Sequence, residues 1–252
     1  MTSGDSSAKT GPGSQRARPS APLTLGGLTP LSASDYPGRL AVVLFCRGCP
    51  WRCGYCHNAH LQDASSGPEL SWADAEGFLR RRVGLAEAVV FSGGEPTAQS
   101  GLGEAMRRAR ELGFLVGLHT AGPYPQRLAE VLPLADWVGL DVKAPFDEYE
   151  AVTGVPDSGG AVRESLRRLL AFGVDHECRT TVHPARLDAA RLERLTDELW
   201  SLGVRRHALQ AFRAVGCVDG ALNAVDAAAT ARLIESVRPP ARAPAGWLLV
   251  RA

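Results

Sequence analysis

The chain has 252 residues, 45% of them hydrophobic, with 28 basic and 27 acidic side chains and a net charge of +1. That length supports one large buried core, and the composition is far from that of a disordered chain. So even a charge balance gives no electrostatic ground for nucleic acid as a partner. The lack of a long apolar run or a hydrophobic signal core argues against a membrane span or secretion, so a cytoplasmic protein is expected.

Residues 1–22 are rich in Ser, Gly, Pro, Ala and basic residues without apolar period, which predicts a disordered tail ahead of one folded domain over 23–252. Leu40–Cys46 reads as a buried strand. After a cysteine-rich loop comes a helix near Ser71–Arg82, capped by Ser71. Strands are then expected at Ala88–Phe91, Phe114–His119, Trp137–Val142, Glu177–Val182 and His207–Phe212. Helices follow them in turn near Leu102–Leu112, Pro125–Leu132, Ala161–Phe172, Asp188–Leu202 and Val225–Val237, and Trp247–Val250 reads as a last strand. Strand–helix alternation at this spacing predicts an α/β protein, a parallel sheet closed into an open, partial (β/α)6 barrel. In barrels of this kind chemistry sits at the carboxyl ends of the strands.

Four of the six cysteines, Cys46, Cys49, Cys53 and Cys56, fall within eleven residues directly after the first of these strands. A disulfide scaffold spreads its cysteines through a small secreted domain, whereas a tight cluster points to metal. Cys49, Cys53 and Cys56 are spaced C-x3-C-x2-C. Such a loop can wrap an iron–sulfur cubane, giving three thiolates to three irons and leaving the fourth iron open. Cys46 and Cys49 with Cys53 and Cys56 also form two CxxC pairs, the pattern of structural zinc. Only three residues separate these pairs, where zinc sites usually have about a dozen. The order does not match a ferredoxin run. Cys46, on the strand, reads as a small buried hydrophobe.

The spacing, with Tyr55 just before the last cysteine, resembles the radical S-adenosylmethionine (SAM) superfamily. The run Cys53-Gly-Tyr-Cys56-His-Asn is similar to the activating enzymes of glycyl radical enzymes, pyruvate formate-lyase and anaerobic ribonucleotide reductase among them. Leu28-Thr-Pro-Leu, Asp35-Tyr-Pro-Gly-Arg and Gly48-Cys-Pro-Trp-Arg-Cys resemble the activating proteins of anaerobic ribonucleoside-triphosphate reductase in particular. The resemblance covers about residues 23 to 220 and implies a [4Fe–4S] cluster on Cys49, Cys53 and Cys56, with SAM as second cofactor.

Phe91-Ser-Gly-Gly-Glu-Pro96 ends the second strand. Two glycines admit close approach to the backbone, and a carboxylate beside them can accept from an ammonium group; by itself the run is also an ordinary turn. The resemblance implies that Gly93, Gly94, Glu95 and Pro96 bind the SAM amino group. Asp141 and Lys143 share one face at the end of a strand. Lys143 is the only lysine after Lys9 in a chain that otherwise uses arginine. The pair reads either as a solvated ion pair or, by resemblance, as an Asp-x-Lys element beside SAM and substrate. Thr120 matches the end of the third strand in the family, where activating enzymes often carry an acidic residue in the place of His119. Arg179, Thr181 and His183 share a face and are candidates for the SAM carboxylate or ribose, although a single histidine at a strand end is more often structural. Gln210 and Arg213 end the sixth strand in a Leu-Gln-x-Phe-Arg run that recurs in the resembled group. Tyr55 is expected beside the adenine, and His57 and Asn58 near the cluster.

The implied reaction is reductive cleavage of SAM to a 5′-deoxyadenosyl radical, which removes hydrogen from a glycine of a partner enzyme. Anaerobic ribonucleotide reductase is the expected partner, with pyruvate formate-lyase as an alternative and flavodoxin or ferredoxin as electron donor. The rival readings are a compact radical SAM enzyme acting on a small molecule, such as a 7-carboxy-7-deazaguanine synthase, and a non-enzymatic zinc module.

Overall fold

The structure, a computed structural model, describes residues 23–65, 67 and 69–251. The tail expected over 1–22 lies outside the described residues. The chain opens on a strand that the sequence reading did not contain, Leu25–Ser32 (β1), which runs antiparallel to Ala41–Cys46 (β2). Its Gly26-Gly27 pair and Pro30 weaken the strand signal. Proline is tolerated because β1 is the sheet's outer edge, where a missing N–H goes unneeded.

From β2 onward the expected alternation holds. Trp72–Arg80 (α1), Ala88–Gly93 (β3), Leu102–Glu111 (α2), Leu115–Thr120 (β4), Pro125–Val131 (α3) and Trp137–Asp141 (β5) follow in order. Then come a short helix Glu150–Thr153 (α4), Ser158–Phe172 (α5), Asp175–Val182 (β6), Ala189–Ser201 (α6) and His207–Ala211 (β7). A further short helix Gly220–Asn223 (α7), Ala227–Ser236 (α8) and Leu248–Arg251 (β8) complete the described chain. The sheet order is β1 through β8 without crossover, and every neighbouring pair from β2 on is parallel. Strands β2 to β7, each with a helix after it, make the six units of the open barrel, and β1 and β8 are added at its two edges.

Local signals set the helix ends. The hydroxyl of Ser71 accepts from the Asp74 amide and the Asp188 carboxylate from the Arg191 amide, each satisfying a first-turn donor. The strands alternate sides. Val42, Leu44, Val89, Phe91, Leu118 and Leu140 face outward and pack with helix residues such as Leu79, Met106, Leu128 and Leu166 in the main core. The barrel interior is narrower. Tyr36, Ala41, Val43, Ala88, Val90 and Trp137 fill its lower part. Among the described residues no helix is long and apolar enough to cross a membrane.

Candidate active site

Above that apolar plug, the carboxyl ends of the strands and the cysteine loop bound a cleft. Cys49, Cys53 and Cys56 line it together with Trp51, Tyr55 and Asn58. Cys46 does not: it is fully buried on the outward face of β2 and belongs to the main core. The loop is held at several points. The amides of Gly48 and Cys49 donate to the carbonyls of Leu61 and Gln62 at 2.7 and 3.1 Å, and the Arg52 amide donates to Thr153 at 3.3 Å. Asn58 Nδ2 donates to the Gly93 carbonyl at 3.3 Å. Burial pushes the thiol of Cys49 up to about 12 and also raises that of Cys53, so both are protonated thiols unless an ion takes the place of the proton.

The two glycines at the end of β3 do more than admit a ligand. Gly93 has φ +107°, and a Cβ there would stand 2.5 Å from the backbone of Cys46. One on Gly94 would stand 2.4 Å from the Gly48 carbonyl. Their amide neighbours seal the contact: Gly94 donates to Cys46 and Glu95 to Gly48, at 2.8 and 2.9 Å. What approaches the glycines is therefore the base of the cysteine loop itself. The side chain of Glu95 differs from expectation. It is 1% exposed, does not line the cleft, and accepts from Thr97 N, Thr97 Oγ1, Thr120 Oγ1 and Ala121 N at 2.5–3.0 Å. A carboxylate so engaged ties β3 to β4, with Oε1 accepting three bonds and Oε2 one. Pro96 is likewise buried and opens the turn 96–98. Of the Gly-Gly-Glu-Pro run, only Gly93 and Gly94 line the cleft.

Asp141, Lys143 and Arg179 meet on the far wall. Arg179 grips Asp141 Oδ1 through Nε at 3.0 Å and Nη2 at 2.9 Å, while Lys143 Nζ lies 3.7 Å from Asp141 Oδ2 and 6.0 Å from the Tyr55 ring centre. Burial works against the Asp141 charge, but the two cations outweigh it and hold its carboxyl low. Burial likewise opposes the Lys143 charge, and Asp141 more than restores it, so the ammonium persists. Gly139 makes room for this group, since a Cβ there would be 2.8 Å from the Arg179 guanidinium carbon. His119 Nε2 donates to the Asp35 carbonyl at 2.8 Å, and Arg179 Nη1 packs against the same atom at 3.1 Å. Burial, then Arg179, holds the His119 ring down to about 3, so its 3.9 Å approach to the Asp35 carboxylate is no ion pair.

Of the remaining expected residues, Tyr55, Thr120, Arg179 and Thr181 line this cleft. Gln210 stands in an adjoining cavity with Arg179, Thr181, Arg213 and Arg251. His183 lines neither. It is 2% exposed behind Phe212, with Nε2 3.0 Å from the Leu222 carbonyl, so direct contact with a cofactor in the cleft is replaced by a structural bond. Trp51, Gln62, Ser92 and Ala121 line the cleft without having been singled out. Trp51 packs edge-on to Tyr149, whose hydroxyl accepts from the Lys143 amide at 2.7 Å. Position within the cysteine loop could have marked Trp51; nothing local marks Tyr149.

The Radical SAM superfamily profile matches residues 43–206. The chain belongs to the radical SAM superfamily. A Methanocaldococcus jannaschii protein that carries the provisional name of glycyl-radical enzyme activating enzyme is 33% identical over 179 residues, 67% of this chain and 72% of that protein. The pyruvate formate-lyase-activating enzyme of Clostridium pasteurianum is 31% identical over 164 residues, 62% of this chain and 66% of that protein. Among solved structures, Streptococcus suis SuiB bound to S-adenosylmethionine superposes with a TM-score of 0.64 at 18% identity, over 81% of this chain and 48% of that one. This chain thus spans about half the length of SuiB, and the likeness is one of fold.

Radical SAM enzymes use a [4Fe–4S] cluster and SAM, and the cleft suits both. Three soft thiol donors face it on one short loop while the fourth nearby cysteine is turned away. Among the described residues no three His, Cys, Asp or Glu side chains converge as a single-ion site requires. A cubane takes one thiolate per iron, so its ligands stay apart. The buried Tyr55 hydroxyl has no protein partner among the described residues, as expected of a group that meets a ligand.

Proposed function

We propose that this radical SAM enzyme activates a glycyl radical enzyme, with anaerobic ribonucleotide reductase as its partner. Cys49, Cys53 and Cys56 hold the cluster in this reading. Reductive cleavage of bound SAM supplies a 5′-deoxyadenosyl radical, which takes hydrogen from a glycine Cα of the partner. The chain's own residues position and shield. The carbonyl of Gly93 and the turn at Gly94 form the wall beside the cluster loop, and Tyr55 presents its ring and free hydroxyl to the adenosine. Lys143 offers a persistent cation to the carboxylate of SAM, with Asp141 and Arg179 fixing its place. Trp51 and Tyr55, both almost fully buried, exclude water from beneath the loop.

The observation that carries the reading is the convergence of three loop thiols with Asp141, Lys143 and Arg179 in one cleft. It gains weight from a chain similar along most of its folded length to a protein named for glycyl radical activation. The test mixes reduced protein, SAM, a flavodoxin or ferredoxin and the candidate reductase without oxygen, and records the electron paramagnetic resonance spectrum. A glycyl doublet should form on the reductase and vanish when its radical-site glycine becomes alanine. A doublet on pyruvate formate-lyase alone would reassign the partner. SAM cleavage with no radical on either would leave the small-molecule reading, as for a 7-carboxy-7-deazaguanine synthase.

A further inference from the structure

The segment 213–223, between β7 and the end of α7, lies as a strap across the cysteine loop. The Arg213 amide donates to His57 Nε2 at 3.3 Å. Gly216, at φ +83°, sits so close that a Cβ would stand 1.9 Å from the His57 carbonyl. The Cys217 thiol points at the Gly54 carbonyl, 3.4 Å away, and Asn223 Nδ2 closes the strap on itself by donating to the Cys217 carbonyl at 3.0 Å. The strap therefore touches the cysteine loop on both sides of Cys56. Apolar burial does little to keep it there: Val215 and Val218 are 85% and 82% exposed, and only Cys217 and Leu222 turn inward. Polar contacts must do most of the holding.

His183, just past the end of β6, supplies one from the barrel. Its Nδ1 accepts from the Ala185 amide at 3.1 Å, which places the proton on Nε2, and Nε2 donates to the Leu222 carbonyl at 3.0 Å. The ring is buried and wedged edge-on against Phe212, which also packs on His57 at 5.4 Å between ring centres. We infer that His183 is a positioning residue: it latches the 213–223 strap onto the cysteine loop and thereby fixes and shields the loop without entering the cleft. The consequence for a bound cluster rests on the function proposed above; the latch itself does not.

The two ring nitrogens can be tested apart. In His183→Asn the amide oxygen reaches the Ala185 amide but nothing reaches Leu222; in His183→Gln the amide nitrogen occupies the Nε2 position and restores the donor to Leu222. The measurement is iodoacetamide labelling of the metal-free protein, followed peptide by peptide by mass spectrometry. Cys217 reports the strap, and Cys178, fully buried on β6, reports global opening. His183→Asn should raise Cys217 labelling at least tenfold with Cys178 unchanged, and His183→Gln should stay within about threefold of the parent. After anaerobic reconstitution, His183→Asn should also lose iron to a chelator several-fold faster. Unchanged Cys217 protection in His183→Asn would overturn the latch. So would a parallel rise at Cys178, which would make the histidine merely stabilising, or a His183→Gln protein that labels like His183→Asn.

Discussion

Four donors from Thr97, Thr120 and Ala121 surround the carboxylate of Glu95. Glu95→Ala therefore strips partners from buried amides and hydroxyls at the ends of β3 and β4, at about 1–3 kcal/mol for each group left unsatisfied. The expected result is a lower melting temperature of the metal-free protein, in addition to weaker SAM binding. A variant that melts like the parent while losing only SAM affinity would return Glu95 to the cleft. Lys143 behaves otherwise. Its charge is set against Asp141 at 3.7 Å inside a wall shared with Arg179, leaving little room for a second guanidinium fork. Lys143→Ala should impair SAM cleavage, and Lys143→Arg should fail to restore it while melting normally. Among the cysteines, Cys49→Ala, Cys53→Ala and Cys56→Ala should each lose the cluster on iron and sulfide assay. Cys46→Ala and Cys178→Ala, whose thiols face the core, should keep it. A full complement of iron in Cys53→Ala would defeat the ligand assignment.

At the level of elements, the end of β3 and the base of the cysteine loop act as one part. A methyl group on Gly94 would be driven into the Gly48 carbonyl at 2.4 Å, a backbone atom that cannot swing away. Gly94→Ala should lower iron content after reconstitution although every thiol remains; full iron content would show that the loop tolerates the shift. The run that encodes this contact was legible in the sequence as Ser-Gly-Gly-Glu-Pro, but the direction of its side chains was not. A motif fixes which residue types stand together. Whether Glu95 turns up into the cleft or down between strands depends on Thr97, Thr120 and Ala121, the last two about 25 positions away. The six strand–helix units were legible for a different reason, since apolar period and capping residues such as Ser71 and Asp188 are local. β1 was not, because its Gly-Gly and Pro erase the strand signal and only pairing with β2 rescues it. The role of His183 was hidden likewise: its partner, Leu222, lies 39 residues on.

For the whole molecule, buried histidines set an acid limit. Burial holds the rings of His119 and His207 down to about 3, against an ordinary value of 6.5. The unfolded chain takes up protons there that the native chain refuses. Their contribution is thus present above pH 6.5 and is lost as pH falls from 6.5 toward 3, at about 1.4 kcal/mol per pH unit for each histidine. Denaturant midpoints of the metal-free protein should fall steadily from pH 6.5 to 5. His207→Gln, which keeps a partner for the Thr180 hydroxyl, should reduce that slope; an unchanged slope would remove His207 from the account.

The strap over the cysteine loop also has a history within each molecule's synthesis. Cys56 leaves the ribosome 157 residues before Arg213, the difference of the two positions. At ordinary elongation rates of about 5–20 residues per second, that interval is roughly 8 to 31 s. Through it the cysteine loop exists without the strap that later braces it at Gly54 and His57. The growing polypeptide thus carries its three thiols on a freer loop than the finished one does. Cells that load the cluster while the chain is still being made would meet that freer loop, and those that load it afterwards meet one already held in place.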